Sequence, residues 1–304
     1  MLLEETLEYL APGGRDELMI DATMGEGGHS YAFLSRFPDL CVVGVEKDSA
    51  IQERARERLA QFGSRVQFYH DWSQDFFEHY PAALKRPDIV LADLGISLFH
   101  YREGGRGFAF EGDEALDMRL DTSRGAPASE ILARMSEAQI ADILYKNSGE
   151  RYSRRISRAI VQQRPINTNT ELSQLVKRAV PASYRYGPIH PATRTFMALR
   201  IEVNEELSGL PSLLNNAFNA LKPGGKLGVI SFHSLEDRVV KNFFRMKKRD
   251  CSCPPEAPKC TCAGRELEIV TPKGVIAGEA EIRQNPPSRS ARLRVAQKIK
   301  ETVI

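Results

Sequence analysis

The sequence predicts an α/β fold: a doubly wound parallel sheet of Rossmann-like type carrying a helical insertion. Three observations predict it. Short apolar runs alternate with helical patterns across short connections, a glycine-rich turn follows the first run, and between residues 126 and 186 the apolar period changes to 3.6.

Leu18-Met19-Ile20 reads as the first buried strand, and Asp21-Ala22-Thr23-Met24-Gly25-Glu26-Gly27-Gly28-His29-Ser30 as a turn into a helix that begins near His29. Glycines there permit close backbone approach to a ligand, and the amides of the helix start would face it. A second strand over 41–45 leads into Glu46, where an acid can accept bonds from both hydroxyls of a ribose. An ordinary strand-to-helix turn would explain the glycines alone; with Glu46 the pair points to a nucleoside. Ser30 occupies the position where dinucleotide-binding proteins favour a third glycine. The acids Asp21 and Glu26 suit a ligand bearing an ammonium or sulfonium better than a pyrophosphate. S-adenosylmethionine carries both cations, so this segment favours a methyltransferase over a dehydrogenase.

A charged helix is expected over 50–62, a third strand over 66–69 and a fourth over 88–92, with Asp93 at its carboxyl end, where ligands gather in such sheets. Residues 104–112 are too rich in glycine for a core element and read as a loop beside the cleft. The insertion is marked by Ile131-Leu132, Met135, Ile140, Ile143-Leu144, Ile156, Ile160-Val161, Leu172 and Leu175-Val176, with Asn169 or Thr170 as the expected cap of a helix running to Val180. Helices over 193–207 and 213–221, a Pro-Gly-Gly turn, a fifth strand over 226–231 and a last strand over 291–297 complete the pattern. The predicted organisation is residues 1–125 and 187–304 for the sheet domain, and 126–186 for an insertion that recognises substrate.

The chain has 304 residues, 42% hydrophobic and 27% charged. No apolar run approaches the roughly 18 residues a membrane span needs, and Met1-Leu2-Leu3-Glu4-Glu5 is no signal peptide, so a cytoplasmic protein without a membrane partner is expected. Net charge is +2, but residues 145–200 carry eleven Lys/Arg against two acids, and residues 236–300 fifteen against eight. Two basic regions beside a cofactor fold favour nucleic acid over a merely solvated helix face. Arg151, Arg154, Arg155 and Arg158 recur at helical spacing, and Tyr152, Tyr184 and Tyr186 among them could stack on unpaired bases. The aromatics bordering the glycine loop, Phe99, Tyr101, Phe108 and Phe110, read as lid and core.

An exocyclic base amine is a poor nucleophile and needs an acceptor for its N–H and close placement against the methyl group. Asp93, in Leu91-Ala92-Asp93-Leu94-Gly95, is the candidate acceptor, or a cofactor contact, beside its simpler use as a cap. His233, in Ser231-Phe232-His233-Ser234-Leu235-Glu236-Asp237-Arg238, follows the fifth strand and is a candidate proton acceptor, while Ser234 with Asp237 resembles a helix cap. Cys251, Cys253, Cys260 and Cys262 form two Cys-x-Cys pairs; the spacing is not that of a familiar zinc site, and no metal is assigned. Cys41 reads as a small core residue.

Six motifs in order, Thr23–Ser30, Arg106–Phe110, Leu116–Arg119, Ser148–Ser153, Pro191–Phe196 and Ser231–Arg238, with the closing Ser288–Arg294, resemble the bacterial 16S ribosomal RNA cytosine-N4 methyltransferase family over nearly the whole chain. The resemblance implies a class I methyltransferase using S-adenosylmethionine on a cytidine N4 in the decoding region of small-subunit RNA. By motif, cofactor contacts would be Gly25, Gly27, Gly28, His29, Glu46, Trp72, Asp93 and His100, and catalytic candidates Asp93, His233 and Arg194. Glu46, Trp72 and His100 stand where the family commonly has aspartate, phenylalanine and glutamine, and the His-x-Pro-Val stretch that usually precedes the start is not in this sequence. The implied partner is 16S ribosomal RNA within the small subunit; a homodimer is compatible. The rival functions are an RNA-binding ribosome assembly factor and an amine methyltransferase acting on DNA or a small molecule.

Overall fold

The computed structural model describes residues 1–102, 105–250 and 264–301. The four clustered cysteines, Cys251, Cys253, Cys260 and Cys262, lie outside them. The chain divides into two compact units, Met1–Gly95 with Gly209–Ile304, and Ile96–Ser208.

Among the described residues the first unit has eight strands: β1 Leu18–Asp21, β2 Cys41–Glu46, β3 Val66–His70, β4 Ile89–Asp93, β5 Lys226–Ser231, β6 Leu267–Ile269, β7 Val275–Ile276 and β8 Arg292–Lys298. Their order is β3-β2-β1-β4-β5-β8-β6, with β7 also on β8. The neighbours from β3 through β5 run parallel, and β8 is antiparallel to β5, β6 and β7. The sheet is therefore dominated by parallel pairs, as the doubly wound pattern predicts, with β8 returning beside β5 from the opposite end. The two- and three-residue strands β7 and β6 gave no readable alternation in the sequence.

Successive residues of the central strands feed opposite faces, which is why those strands are apolar throughout. Ile20, Val43, Val45 and Val90 join Leu214, Phe218 and Phe244 in one core. Met19, Val42 and Leu91 join Leu34, Leu59 and Ile230 in the other. Lys298 of β8 is fully buried, its ammonium donating to the carbonyls of Phe218, Asn219 and Leu221 at the end of helix Leu210–Ala220. The expected helix over 50–62 is Ser49–Leu59, followed by a 3-10 turn, Ala60–Arg65.

The second unit is helical. Every periodic residue named above for the insertion lands in one cluster, with Leu132, Ile140, Leu144, Ile156, Ile160, Leu172 and Val176 at its centre. The helix Asn169–Ala179 is capped by Thr168, whose hydroxyl accepts the Glu171 N–H, one residue earlier than expected. This unit is wider than residues 126–186 because the preceding loop packs into it. Phe108, Leu116, Met118 and Leu120 belong to its core, Arg106 donates to the carbonyls of Arg119 and Leu120, and the Asn204 amide bridges Leu120 N–H and Met118 C=O. Among the described residues no helix is long and apolar enough to cross a membrane.

Candidate cofactor and substrate site

The ends of β1, β2 and β4 bring together most of the residues singled out from the sequence. After β1 the chain turns through Gly25 (φ 54°) and Gly27 (φ 75°), both left-handed, before the helix Gly28–Arg36. A Cβ on Gly27 would also press on Leu59 Cδ1 at 3.0 Å, whereas one on Gly28 would meet nothing closer than Arg58 Nη1 at 3.7 Å. Steric need thus falls on Gly27, and Gly28 is left to give close access at the helix start.

Glu46 closes this turn. The Gly25 N–H donates to its Oε2 at 2.8 Å and the Asp48 N–H to its Oε1 at 2.9 Å. Burial pushes the Glu46 carboxyl up, against the pull of the Asp48 N–H, Lys47 and the Gly25 N–H. Each oxygen keeps a second lone pair, so the carboxylate can hold the loop and still accept a hydroxyl. Trp72, buried, precedes helix Ser73–Glu78, and Lys47 Nζ stands 4.3 Å from its ring centre.

Asp93 is at the end of β4. Its N–H donates to Thr23 Oγ1 at 2.6 Å, Gly95 N–H donates to its Oδ1 at 3.4 Å, and its Oδ2 lies 3.7 Å from His29 Nδ1. His29 Nε2 is 3.0 Å from the Met1 carbonyl, which can only accept, so the ring proton sits on Nε2. Asp21, fully buried at the end of β1, accepts the Ser30 hydroxyl at 2.6 Å. Burial raises its pKa to about 6, opposed by Ser30 and His29. Ser30 and Thr23 were not assigned site roles from the sequence, and Asp21 was read there only as part of an acidic surround for a cationic ligand. An acid at a strand end just before the glycines was the available signal for Asp21. The Thr23 hydroxyl meets the Asp93 backbone across 70 positions and left no trace in the sequence.

His233 follows β5, as expected, but caps a helix. Its Nδ1 accepts the Glu236 N–H at 3.4 Å, and Glu236 Oε2 accepts the N–H of Phe232 and of His233. The cap of Ser234–Lys247 is therefore His233 with Glu236, not Ser234 with Asp237; Asp237 instead pairs with Arg294 at 2.6 Å. With Nδ1 accepting, the neutral ring carries its proton on Nε2, 3.2 Å from Glu236 Oε1. In this tautomer the ring's lone pair is spent on the cap, so the geometry favours a positioning role over the proton acceptor expected from the sequence.

His100 and Arg194 belong to the second unit. His100 is buried against the rings of Phe99 and Phe108, 5.7 and 5.4 Å away. Arg194, in the first turn of helix Thr193–Val203, donates to the Tyr184 hydroxyl at 2.6 Å. The expected arginine stripe is redistributed. The helix is Ser153–Gln163, so Arg151 precedes it, and Arg158 pairs with Glu137 at 3.4 Å. Arg154 and Arg155 are exposed and have no ion-pair partner among the described residues. Of the tyrosines offered as base platforms, Tyr186 is 79% exposed, while Tyr152 and Tyr184 pack edge-on at 5.0 Å against the core of the unit.

The family profile described as the MraW methylase family matches residues 1–299. A protein named ribosomal RNA small subunit methyltransferase H from Treponema denticola is 51% identical over 98% of this chain and 96% of its own length. Its namesake from Nostoc punctiforme is 43% identical over 98% and 93%. A solved rRNA methylase from Streptococcus thermophilus is similar over 99% of this chain and 98% of its own, with TM-score 0.46 and 10% identity.

Proposed function

Because this chain belongs to the MraW methylase family, we propose that it transfers a methyl group from S-adenosylmethionine to small-subunit ribosomal RNA, at the exocyclic N4 of a cytidine in the decoding region. The observation that carries the reading is the convergence of Glu46, Asp93 and Asp21 on the left-handed turn Gly25–Gly27 at the carboxyl ends of β2, β4 and β1. This donor set suits the cofactor. Carboxylates favour a ligand carrying an ammonium and a sulfonium, and the glycine turn with its helix start supplies backbone N–H groups for a carboxylate.

When bound, S-adenosylmethionine supplies a methyl group activated on sulfur. The chain's residues do the rest. Glu46 accepts the ribose hydroxyls while its loop bonds hold it in place, Trp72 offers an apolar wall to the adenine, and His29 with Gly28 borders the methionine part. His100 extends the set by family resemblance. Asp93 accepts an N–H of the target amine, turning the nitrogen lone pair toward the methyl group; the amine proton leaves to Asp93 or to water once the new N–C bond has formed. His233 and Glu236 fix the turn after β5 and so act by position. The exposed Arg154 and Arg155 hold RNA phosphates.

The test is incubation with labelled S-adenosylmethionine and either naked small-subunit RNA or assembled subunits, followed by digestion to nucleosides. N4-methylcytidine at one decoding-region position is expected, and the better substrate decides whether the particle is the partner. Label in another nucleoside, or in DNA, would overturn the assignment. Sedimentation of the free protein tests the homodimer.

A further inference from the structure

We propose that Glu150 and Tyr184 are positioning residues that hold Arg194, with Arg151 beside the same ring, as a two-arginine clamp for a phosphate of the RNA. The inference rests on the RNA-methylating reading and adds a binding site to it.

Glu150 follows Gly149, the left-handed residue that ends helix Glu137–Ser148, and is fully buried. A carboxylate out of water must have its acceptors filled. Its Oε1 accepts the Tyr152 N–H at 2.8 Å and its Oε2 the Tyr184 hydroxyl at 2.9 Å. Among the described residues no cation pairs with it. The proton of Tyr184 is thereby committed to Glu150, leaving the hydroxyl oxygen to accept, and Arg194 Nη1 donates to it at 2.6 Å. The direction of the chain is set: Arg194 to Tyr184 to Glu150. Tyr152, packed on the Tyr184 ring, limits rotation of that ring.

The guanidinium carbons of Arg151 and Arg194 each lie 5.9 Å from the centre of the Tyr184 ring. Neither arginine has an ion-pair partner among the described residues. The nearby acid is filled by a hydroxyl and a backbone N–H and pairs directly with neither guanidinium, so both arginine forks stay open to a further anion. Arg194 commits one N–H to tyrosine and keeps the rest of its fork for an anion. Two planar cations on a ring anchored to a buried carboxylate suit the tetrahedral oxygens of a phosphodiester, which arginine takes in bidentate fashion. A purely structural tie between residues 150 and 184 would need the Glu150–Tyr184 bond and not the arginines.

The experiment measures binding of the full chain to small-subunit RNA as a function of salt, for wild type, Tyr184→Phe, Arg194→Ala and the double variant, with thermal unfolding confirming that each is folded. Each single change should weaken binding about tenfold and lower the salt slope by about one, with cofactor affinity unchanged. If Tyr184 acts through Arg194, the double variant binds no more weakly than Arg194→Ala. Glu150→Gln keeps one acceptor oxygen where the carboxylate fills two, so it should weaken binding by no more than Tyr184→Phe does, and a larger loss would show that Glu150 acts on the fold and not through Tyr184. Wild-type affinity and slope in Tyr184→Phe, or additive losses in the double variant, would remove the clamp while leaving the methylation reading intact. Failure of the wild type to bind either naked RNA or assembled subunits would remove that reading and the clamp with it.

Discussion

The backbone N–H of Gly25 donates to Glu46 Oε2 at 2.8 Å, so the acid proposed to hold the ribose also holds the turn that meets the ligand. Glu46→Ala should then weaken cofactor binding by about 10- to 150-fold, the worth of charge-assisted hydrogen bonds. It should also lower the thermal midpoint, because the N–H groups of Gly25 and Asp48 lose their acceptor. Calorimetry finding wild-type affinity in a folded Glu46→Ala protein would sink the ribose assignment.

Asp21 gives the sheet domain a pH dependence. An acid whose folded-state pKa lies above its unfolded value binds its proton more tightly when folded. Its contribution to stability is complete below about 3.8 and is lost as pH rises through about 6. Denaturant midpoints measured across that window should fall with rising pH by more in wild type than in Asp21→Asn, which cannot ionise. Equal slopes for the two proteins would show that Asp21 is not the titrating group.

Substitution of His233 separates capping from proton acceptance. Asparagine is among the best N-cap residues and alanine among the poorest, the difference being about 0.5–2 kcal/mol of helix stability. His233→Asn should keep both the unfolding midpoint and the single-turnover methylation rate near wild type, while His233→Ala loses stability. A rate loss of about 10²-fold or more in His233→Asn would restore the base role.

The pair Arg154 and Arg155 should account for part of the salt dependence of RNA binding, since neither charge is spent within the protein. Their double replacement by alanine is expected to lower the salt slope by about one to two units. Arg158→Ala should change it less, because Glu137 already compensates that charge. A slope unaffected by the double change would place the RNA on another surface.

Much of this protein was decided locally and could be read without coordinates. The apolar runs of β1, β2, β4 and β5, the glycine turn and Glu46 sit within a few residues of where their pattern put them, because period, turn chemistry and burial all act over short spans. The same holds for the insertion, whose 3.6 period fell into a single core. Other features were decided by partners distant in sequence. Whether Glu46 also closes the loop, whether the His233 ring is open or a cap, and which arginines keep their charge depend on groups whose approach only folding fixes. Tyr184 shows the reason most plainly: its chemistry is set by Glu150, 34 positions earlier, and Arg194, ten later, and no spacing rule connects the three until the helices pack.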